Sequence, residues 1–340
     1  MLRIIICATA LILAGLASAT HATVFCVNSE ATANAALTTA QANGADDEVD
    51  IVAGTYALTT GLYFSSAEAH SLTVVGGWNA GCSAFTGAAT VLDGQGLVRP
   101  LFVAESGSAS INIQWLTFAD GLSTNNRGGG LSVFTDSGEI RIDHNRFIFN
   151  RADDYGGALD AYTNGGQMRV RGNLFFANSA ANIGGAELTS NNSVAYVIGN
   201  TILGNSSDNF NSSGGLAVSG AAHFWVSDNI VWNNTANGAV DLSAGAWIAL
   251  INNDVGTKGG TQPDPVSQGN QSVAPDFASC AGLGCFSFEL MRASTLVDAG
   301  YDSPPGGALA YDLAMKPRTI GPHVDIGAYE QDVLFRNGFE

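Results

Sequence analysis

The sequence predicts an all-β chain folded as a right-handed parallel β-helix, because two independent markers recur together about every 28 residues. The first marker is a pair of asparagines five residues apart with an apolar residue between them. It occurs four times, at spacings of 28, 27 and 29 residues. The second marker is a pair of glycines, which recurs at spacings of 28, 28 and 30 residues. These pairs are Gly128-Gly129, Gly156-Gly157, Gly184-Gly185 and Gly214-Gly215.

A repeat of this length suits one coil of a β-helix, since it is too long for a hairpin and no segment has the apolar spacing of a helix. Coils that stack at about 4.8 Å place like residues above one another. We therefore expect Phe147 and Phe175 to belong to an internal apolar stack. We also expect side-chain amides to form structural ladders at the bends, from Asn145, Asn150, Asn173, Asn178, Asn200, Asn205, Asn229 and Asn234.

The ends of the chain predict export and the limits of the solenoid. Arg3, the apolar run 4–16 and the small residues 17–19 have the pattern of a signal peptide, and the run is too short for a membrane span. We assign 1–19 to this signal, 20–330 to one β-helix domain with its caps, including a C-terminal cap, and 331–340 to a tail. Chain length divided by the repeat predicts ~8 to 10 coils.

Cysteine usage agrees with an oxidising compartment. Removal of the signal, with Cys7, leaves Cys26, Cys82, Cys280 and Cys285. Four cysteines allow three pairings, and we favour Cys26–Cys82 and Cys280–Cys285 because each pair lies near one end of the chain. Free buried thiols are the alternative, and no Cys/His spacing indicates zinc.

The charge balance restricts the partners. The chain has 30 Asp and Glu against 13 Lys and Arg, a net charge of −17, and loss of Arg3 adds one negative unit. Such a chain repels nucleic acid and anionic membrane surfaces. No later apolar run is long enough for a transmembrane segment, so we expect a mature chain without one.

Several motifs resemble known exported proteins. The Phe-x-x-Asn strings that start at Phe147 and Phe175, with the Gly-Gly-Ala strings that start at Gly156 and Gly184, are similar to the repeats of polymorphic outer-membrane proteins, which form β-helical passengers on bacterial surfaces. Residues 50–56 and 297–330 resemble the first and last segments of a wider family of exported bacterial β-helix proteins. The resemblance implies the fold and a secreted or outer-surface location in a Gram-negative-type bacterium.

A small charged face is one candidate site. A step of 28 residues puts Arg141 beside Arg169, Asp143 beside Arg171, and Glu139 beside Gln167, all pointing outward. The same step predicts that Tyr196 points inward. The string 142–144 resembles a motif of pectate lyases, enzymes that use carboxylate-bound calcium and an arginine base. Asp143, Arg169 and Arg171 are therefore candidate catalytic residues, and an exposed structural pair of Asp143 with Arg171 is the favoured alternative.

Other carboxylates and aromatic residues suggest further sites. Asp153, Asp154 and Asp160 are candidate calcium ligands, although solvated turn acids explain them as well. A glycosidase needs two carboxylates across a sugar site, and the 28-residue step places Asp160 and Glu187 one position out of line. Sugar stacking or core packing are the two alternatives for Trp115, Trp225, Trp232 and Trp247.

The sequence thus favours a non-enzymatic secreted or cell-surface protein that adheres to cell-surface glycans or polysaccharide. A polysaccharide lyase or glycoside hydrolase on the same scaffold is the alternative. We expect no cofactor, with calcium as the one open exception. The discriminating feature is a groove that brings three or more outward Asp, Glu, Arg or His side chains together.

Overall fold

The parallel β-helix predicted from the repeats is confirmed. In a computed structural model, residues 22–331 are described apart from 125, 211, 238–239, 261–265 and 280–286. Their strands form four sheets with parallel pairing between successive coils, and the solenoid has about eight turns. The signal peptide at 1–19, Cys280, Cys285 and most of the 331–340 tail lie outside the described residues. The right-handed sense stays a prediction.

The strands are as follows. The first sheet comprises Thr23–Val27, Asp47–Val52, Leu72–Trp78, Ile111–Gln114, Ile140–Asp143, Met168–Arg171, Val194–Ile198, His223–Ser227, Trp247–Ile251 and Val266–Gln268. The second comprises Gly54–Ala57, Thr90–Asp93, Thr117–Ala119, Arg146–Ile148, Leu174–Phe176, Thr201–Leu203, Ile230–Trp232 and Asp254–Val255. The third comprises Leu62–Ser66, Leu101–Glu105, Leu131–Thr135, Leu159–Thr163, Ala186–Ser190, Ser213–Ser219, Val240–Ala244 and Lys258–Gly260. The fourth comprises Leu122–Ser123, Arg151–Ala152, Ser179–Ala180, Ser206–Phe210 and Thr235–Asn237.

The core is a column of apolar side chains inside the coils. Alternation along each strand sends every second residue inward, so identical positions of successive coils meet. Phe118, Phe147 and Phe175 stack with ring centroids 4.9 Å and 4.8 Å apart, and all three rings are fully buried. This is the internal stack expected from the repeat, and it extends one coil further towards the N-terminus.

Two buried ladders of asparagine side chains run along the bends. In the first, the Asn145 Nδ2 donates to Asn173 Oδ1 at 3.2 Å, and Asn173 Nδ2 donates to Asn200 Oδ1 at 3.0 Å. Each amide also bonds backbone groups, as when Asn173 Nδ2 donates to the Ile142 carbonyl at 2.7 Å. The ladders therefore satisfy backbone groups that the bends would leave unpaired. Their members are Asn145, Asn173, Asn200, Asn229 and Asn253 in one ladder and Asn150, Asn178, Asn205 and Asn234 in the other.

The glycine pairs lie in the turn that leads into the third sheet. Gly128 and Gly156 have φ angles of +65° and +62°, which L side chains rarely adopt. A Cβ on Gly129 would clash with the carbonyl oxygen of Gly157 in the next coil. This turn therefore requires glycine both for conformation and for close stacking.

One helix, Glu30–Ala40, corrects the expectation that helical apolar spacing is absent. Ser29 caps it, since its Oγ accepts from the Thr32 N–H at 3.1 Å. Its buried face joins the core of the first coils through Ala33, Ala36, Leu37 and Ala40. Small alanines make this stripe hard to recognise in the sequence. Among the described residues no helix has the length and apolar character of a membrane span.

The N-terminal coils also contain the disulfide Cys26–Cys82. It joins the first strand of the first sheet to the loop that follows the Leu72–Trp78 strand. The link closes a chain separation of 56 residues and ties together the coils on which the helix packs. This is the pairing that the sequence analysis favoured for these two cysteines.

The C-terminal segment 287–331 lies along the outer face of the second sheet. Leu296, Val297 and Ile326 cluster against Ile230. A second cluster joins Leu313, Ala328 and Tyr329 to Leu174. The segment thus covers the side of several coils, and a cap over the C-terminal end stays a prediction.

Coil length decides which outward residues are neighbours. The pairing Leu159↔Ala186 and Met168↔Ala195 shows a coil of 27 residues at this point. The 28-residue step assumed in the sequence analysis is therefore wrong for this coil. The missing residue is in the turn after the fourth sheet, because Asn182 still pairs with Asp154. As a result Tyr196 points outward beside Arg169, not inward as predicted.

Candidate functional site

Two outer faces of the solenoid carry clustered charges. The first, called the arginine face, lies on the first sheet and consists of Glu139, Arg141, Asp143, Arg169 and Arg171. Its outward residues are neighbours as predicted, with Arg141 beside Arg169 and Asp143 beside Arg171. Arg141 Nη2 lies 2.8 Å from Glu139 Oε2, and Arg169 pairs with the same carboxylate. The charges on this face therefore neutralise one another.

The pair of Asp143 and Arg171 is closed to solvent. Arg171 donates from Nε to Asp143 Oδ1 at 3.1 Å and from Nη2 to Oδ2 at 2.6 Å. Its Nη1 donates to the carbonyls of Gly306 and Gly307, in the C-terminal segment, at 3.4 Å each. Only 13% of Arg171 and 7% of Asp143 are exposed, so the expectation of an exposed pair is wrong. The segment covers the pair, which leaves no room for a substrate.

His144 also serves this packing. It adopts a φ of +58° at the bend, stacks on Trp115 with ring centroids 4.2 Å apart, and its Nε2 lies 2.9 Å from the Tyr311 carbonyl oxygen. Burial lowers the pKa of this imidazole. The 142–144 string is therefore part of the contact between the coils and the C-terminal segment.

The second cluster, called the acidic face, lies on the third sheet and centres on Asp160, Glu187 and Arg127. Asp160 and Glu187 are direct partners on adjacent strands, so the prediction that they are out of line is wrong. The 27-residue coil is the reason. Arg127 Nη1 lies 3.8 Å from Asp160 Oδ1 and 3.3 Å from Glu187 Oε2. The Arg127 guanidinium also stacks over the Tyr155 ring at 4.3 Å.

The two carboxylates of the acidic face are poorly compensated. Burial raises the pKa of Asp160 to about 6, partly opposed by Arg127 and Arg99. Burial, reinforced by the charge of Asp160, raises the pKa of Glu187 to about 7. Arg127 cannot offset this, because one half-exposed guanidinium serves both carboxylates. The pair therefore retains protons at a pH where ordinary surface carboxylates have lost them.

Aromatic rings flank these carboxylates on the same face. Phe134 and Tyr162 stack with centroids 5.0 Å apart, and Phe134 is 40% exposed. Tyr162 lies two residues beyond Asp160 on one strand, a distance of about 7 Å on the same face. The acidic face thus combines charged groups with a flat apolar surface.

A cleft of about 450 Å³ opens at the N-terminal side of the acidic face. Its lining includes a second stacked pair, Tyr63 and Phe102, whose centroids are 5.3 Å apart. Arg99 also lines it and is fixed by donating to the carbonyl oxygens of Gly128 and Arg127, at 2.7 Å and 2.6 Å. Arg99 thereby connects the cleft to the loop that carries Arg127.

The candidate calcium ligands lie beside this face, but their geometry does not form a metal centre. Asp154 accepts from Asn182 Nδ2 at 2.9 Å, and its charge contributes to the raised pKa of Asp160. Asp153 lies in the same turn, where its N–H donates to the Ser123 carbonyl at 3.0 Å. Within the described ranges no three His, Cys, Asp or Glu side chains are grouped so that they could hold a metal ion. Calcium binding by these residues stays a prediction.

The tryptophans do not line the acidic face. Trp225 and Trp247 make an edge contact on the first sheet, with centroids 5.9 Å apart. Trp232 packs beside the C-terminal segment, and Trp115 packs on His144. The sequence analysis missed the Phe134–Tyr162 pair, although these two residues are 28 positions apart, and it missed the role of Arg127.

Comparisons with known proteins establish no family for this chain. No protein-family model matches the sequence, and no curated protein is similar to it. A structure described as the crystal structure of pectate lyase Pel9A aligns over 92% of this chain and 97% of its own, with 14% identity and a TM-score of 0.35. The strand pairing itself establishes the β-helix, and no functional residue is transferred from that structure.

Proposed function

We propose that this protein is an exported saccharide-binding protein and that the acidic face holds the saccharide. One observation carries the proposal: charged side chains lie between two stacked aromatic pairs on one side of the solenoid. Aromatic rings stack on the apolar faces of sugar rings, and carboxylates and guanidinium groups bond their hydroxyls. The long side wall favours an extended polysaccharide or a cell-surface glycan.

Export rests on separate support. The Cys26–Cys82 disulfide suits an oxidising compartment outside the cytoplasm. The signal-peptide pattern at 1–19 and the resemblance to exported β-helix proteins point the same way. Adhesion to polysaccharide on a cell surface is the role that we propose for such a wall.

A lyase centred on Asp143 and Arg171 has no support from the geometry. Both side chains are used by each other and by the C-terminal segment. An arginine that already makes four hydrogen bonds and is covered by chain cannot reach a sugar ring. The acidic face is therefore the better candidate.

A glycan array with the purified exported protein tests the proposal. We expect binding to at least one saccharide class and a loss of at least tenfold in affinity on Tyr162→Ala, because the stacking surface shrinks. Trp225→Ala is the matched control, since it removes an aromatic side chain from the outer face of the first sheet. Loss of binding in the control alone would move the site to the first sheet, and no binding to any saccharide would refute the proposal.

A further inference from the structure

Asp160 and Glu187 occupy equivalent positions on neighbouring coils, so both side chains leave the third sheet on the same side. Their strands lie about 4.8 Å apart. Because Arg127 Nη1 contacts an oxygen of each carboxylate, these two oxygens are at most about 7 Å apart. Two carboxylates at this separation can approach the same glycosidic bond from two sides.

The pair is enclosed but lacks the partners that a structural pair would have. Only 14% of Asp160 and 12% of Glu187 are exposed. Within the part of the chain that the structure describes, the Asp160 carboxylate accepts no hydrogen bond, and its contact with Arg127 is long. The Glu187 carboxylate accepts one, from Arg127 at 3.3 Å. Asp143, by contrast, accepts two from a single arginine.

The protonation of the pair suits two different roles. With pKa values raised to about 6 for Asp160 and about 7 for Glu187, the pair tends to hold one proton between these values. Glu187 holds it more firmly, because Asp160 is the closest negative neighbour. Arg127 and Arg99 lower the pKa of Asp160, while Asp154 raises that of both carboxyls. A protonated and an ionised carboxyl then stand side by side.

We propose that Asp160 and Glu187 form the acid–base pair of a glycoside hydrolase that cleaves the saccharide held on the acidic face. The inference rests on the proposed function and adds the reaction. Glu187 donates its proton to the glycosidic oxygen as the bond between that oxygen and the anomeric carbon breaks. Asp160 takes a proton from the water whose oxygen bonds to the anomeric carbon. One water is consumed, a new reducing end and a free alcohol are released, and the proton returns from Asp160 to Glu187 through solvent.

The substrate class follows from the surroundings. The aromatic pairs Phe134–Tyr162 and Tyr63–Phe102 offer stacking surfaces on two sides of the carboxylates. A polyuronate would bring more negative charge to a pair that is already short of cations and to a chain with a net charge of −17. The geometry therefore favours a neutral polysaccharide with several sugar units along the face.

The test uses the purified exported protein with its disulfide intact and a panel of xylan, mannan, galactan and α- and β-glucans. Binding is measured by calorimetry and cleavage by the release of reducing ends. We expect release from a polysaccharide that binds, with a maximum between about pH 6 and 7. Glu187→Gln and Asp160→Asn should each lower kcat by about 10²- to 10⁴-fold while binding changes less than about threefold.

Controls separate this inference from the proposed function. Glu139→Gln removes an equivalent carboxylate from the arginine face and should leave turnover unchanged. Both site variants place an amide where the folded protein already tolerates a neutral acid, and unfolding curves check that they fold. Binding without release of reducing ends, or release that survives both substitutions, overturns the hydrolase and leaves binding intact. Absence of binding to the whole panel overturns both proposals.

Discussion

The arginine face and the acidic face use the same residue types on the same scaffold, yet they are different environments. On the arginine face each carboxylate meets one or two arginines, and the C-terminal segment closes over the Asp143–Arg171 pair. On the acidic face two carboxylates share one arginine and remain beside an open cleft. Clustered charge therefore indicates a site only where the protein has not already satisfied it.

The largest expected difference between the faces is in stability. Asp143→Ala leaves Arg171 buried without its carboxylate and should lower the free energy of unfolding by about 3–5 kcal/mol. Asp160→Ala, the matched change on the acidic face, should alter it by less than about 1 kcal/mol. Chemical denaturation measures both. Equal losses would mean that the acidic face is as structural as the arginine face.

A smaller effect should be seen in the dependence of stability on pH. The raised pKa values mean that the folded state binds the protons of Asp160 and Glu187 more tightly than the unfolded state does. Their contribution is complete below about pH 4 and is lost as the pH rises through about 7. The double variant Asp160→Asn, Glu187→Gln should therefore be more stable than the wild type at pH 8, by at most about 3 kcal/mol.

Unfolding curves of the two proteins from pH 4 to 8 check this sign. Asp228 and Glu330 also have pKa values raised by burial, to about 7 and about 8, so only the difference between the two proteins is informative. A difference that does not grow between pH 4 and 7 would show that the two carboxyls have ordinary pKa values.

The smallest effect is expected at the edge of the arginine face. Arg141 is 44% exposed, and its partner Glu139 is also held by Arg169. Arg141→Ala should therefore change the free energy of unfolding by less than about 1 kcal/mol, and the change should shrink in high salt. A larger loss in a denaturation series would show that this pair is part of the closed region around Asp143.

The sequence predicted the scaffold better than the site, for physical reasons. Asparagines and glycines at the bends have one backbone role in every coil, so their spacing reveals the repeat, and the Phe147–Phe175 stack follows from it. Outward neighbours depend on the exact length of each coil. Assuming 28 residues where the coil has 27 misplaced Tyr196 and separated Asp160 from Glu187. The cover over Asp143 comes from a segment more than 160 residues away, which no repeat spacing reveals.

The shortened turn before Gly184 has a consequence for how such a wall can vary. Removing one residue there leaves the inward and outward alternation of every strand intact, because the turn absorbs the change before the next strand begins. Only the partners across the coil boundary are exchanged. A single-codon deletion or insertion in this turn is thus a way to recombine side chains on the outer wall without redesigning the interior. A designer who wishes to install a new pair of groups on adjacent coils can adjust turn length first and side-chain identity second.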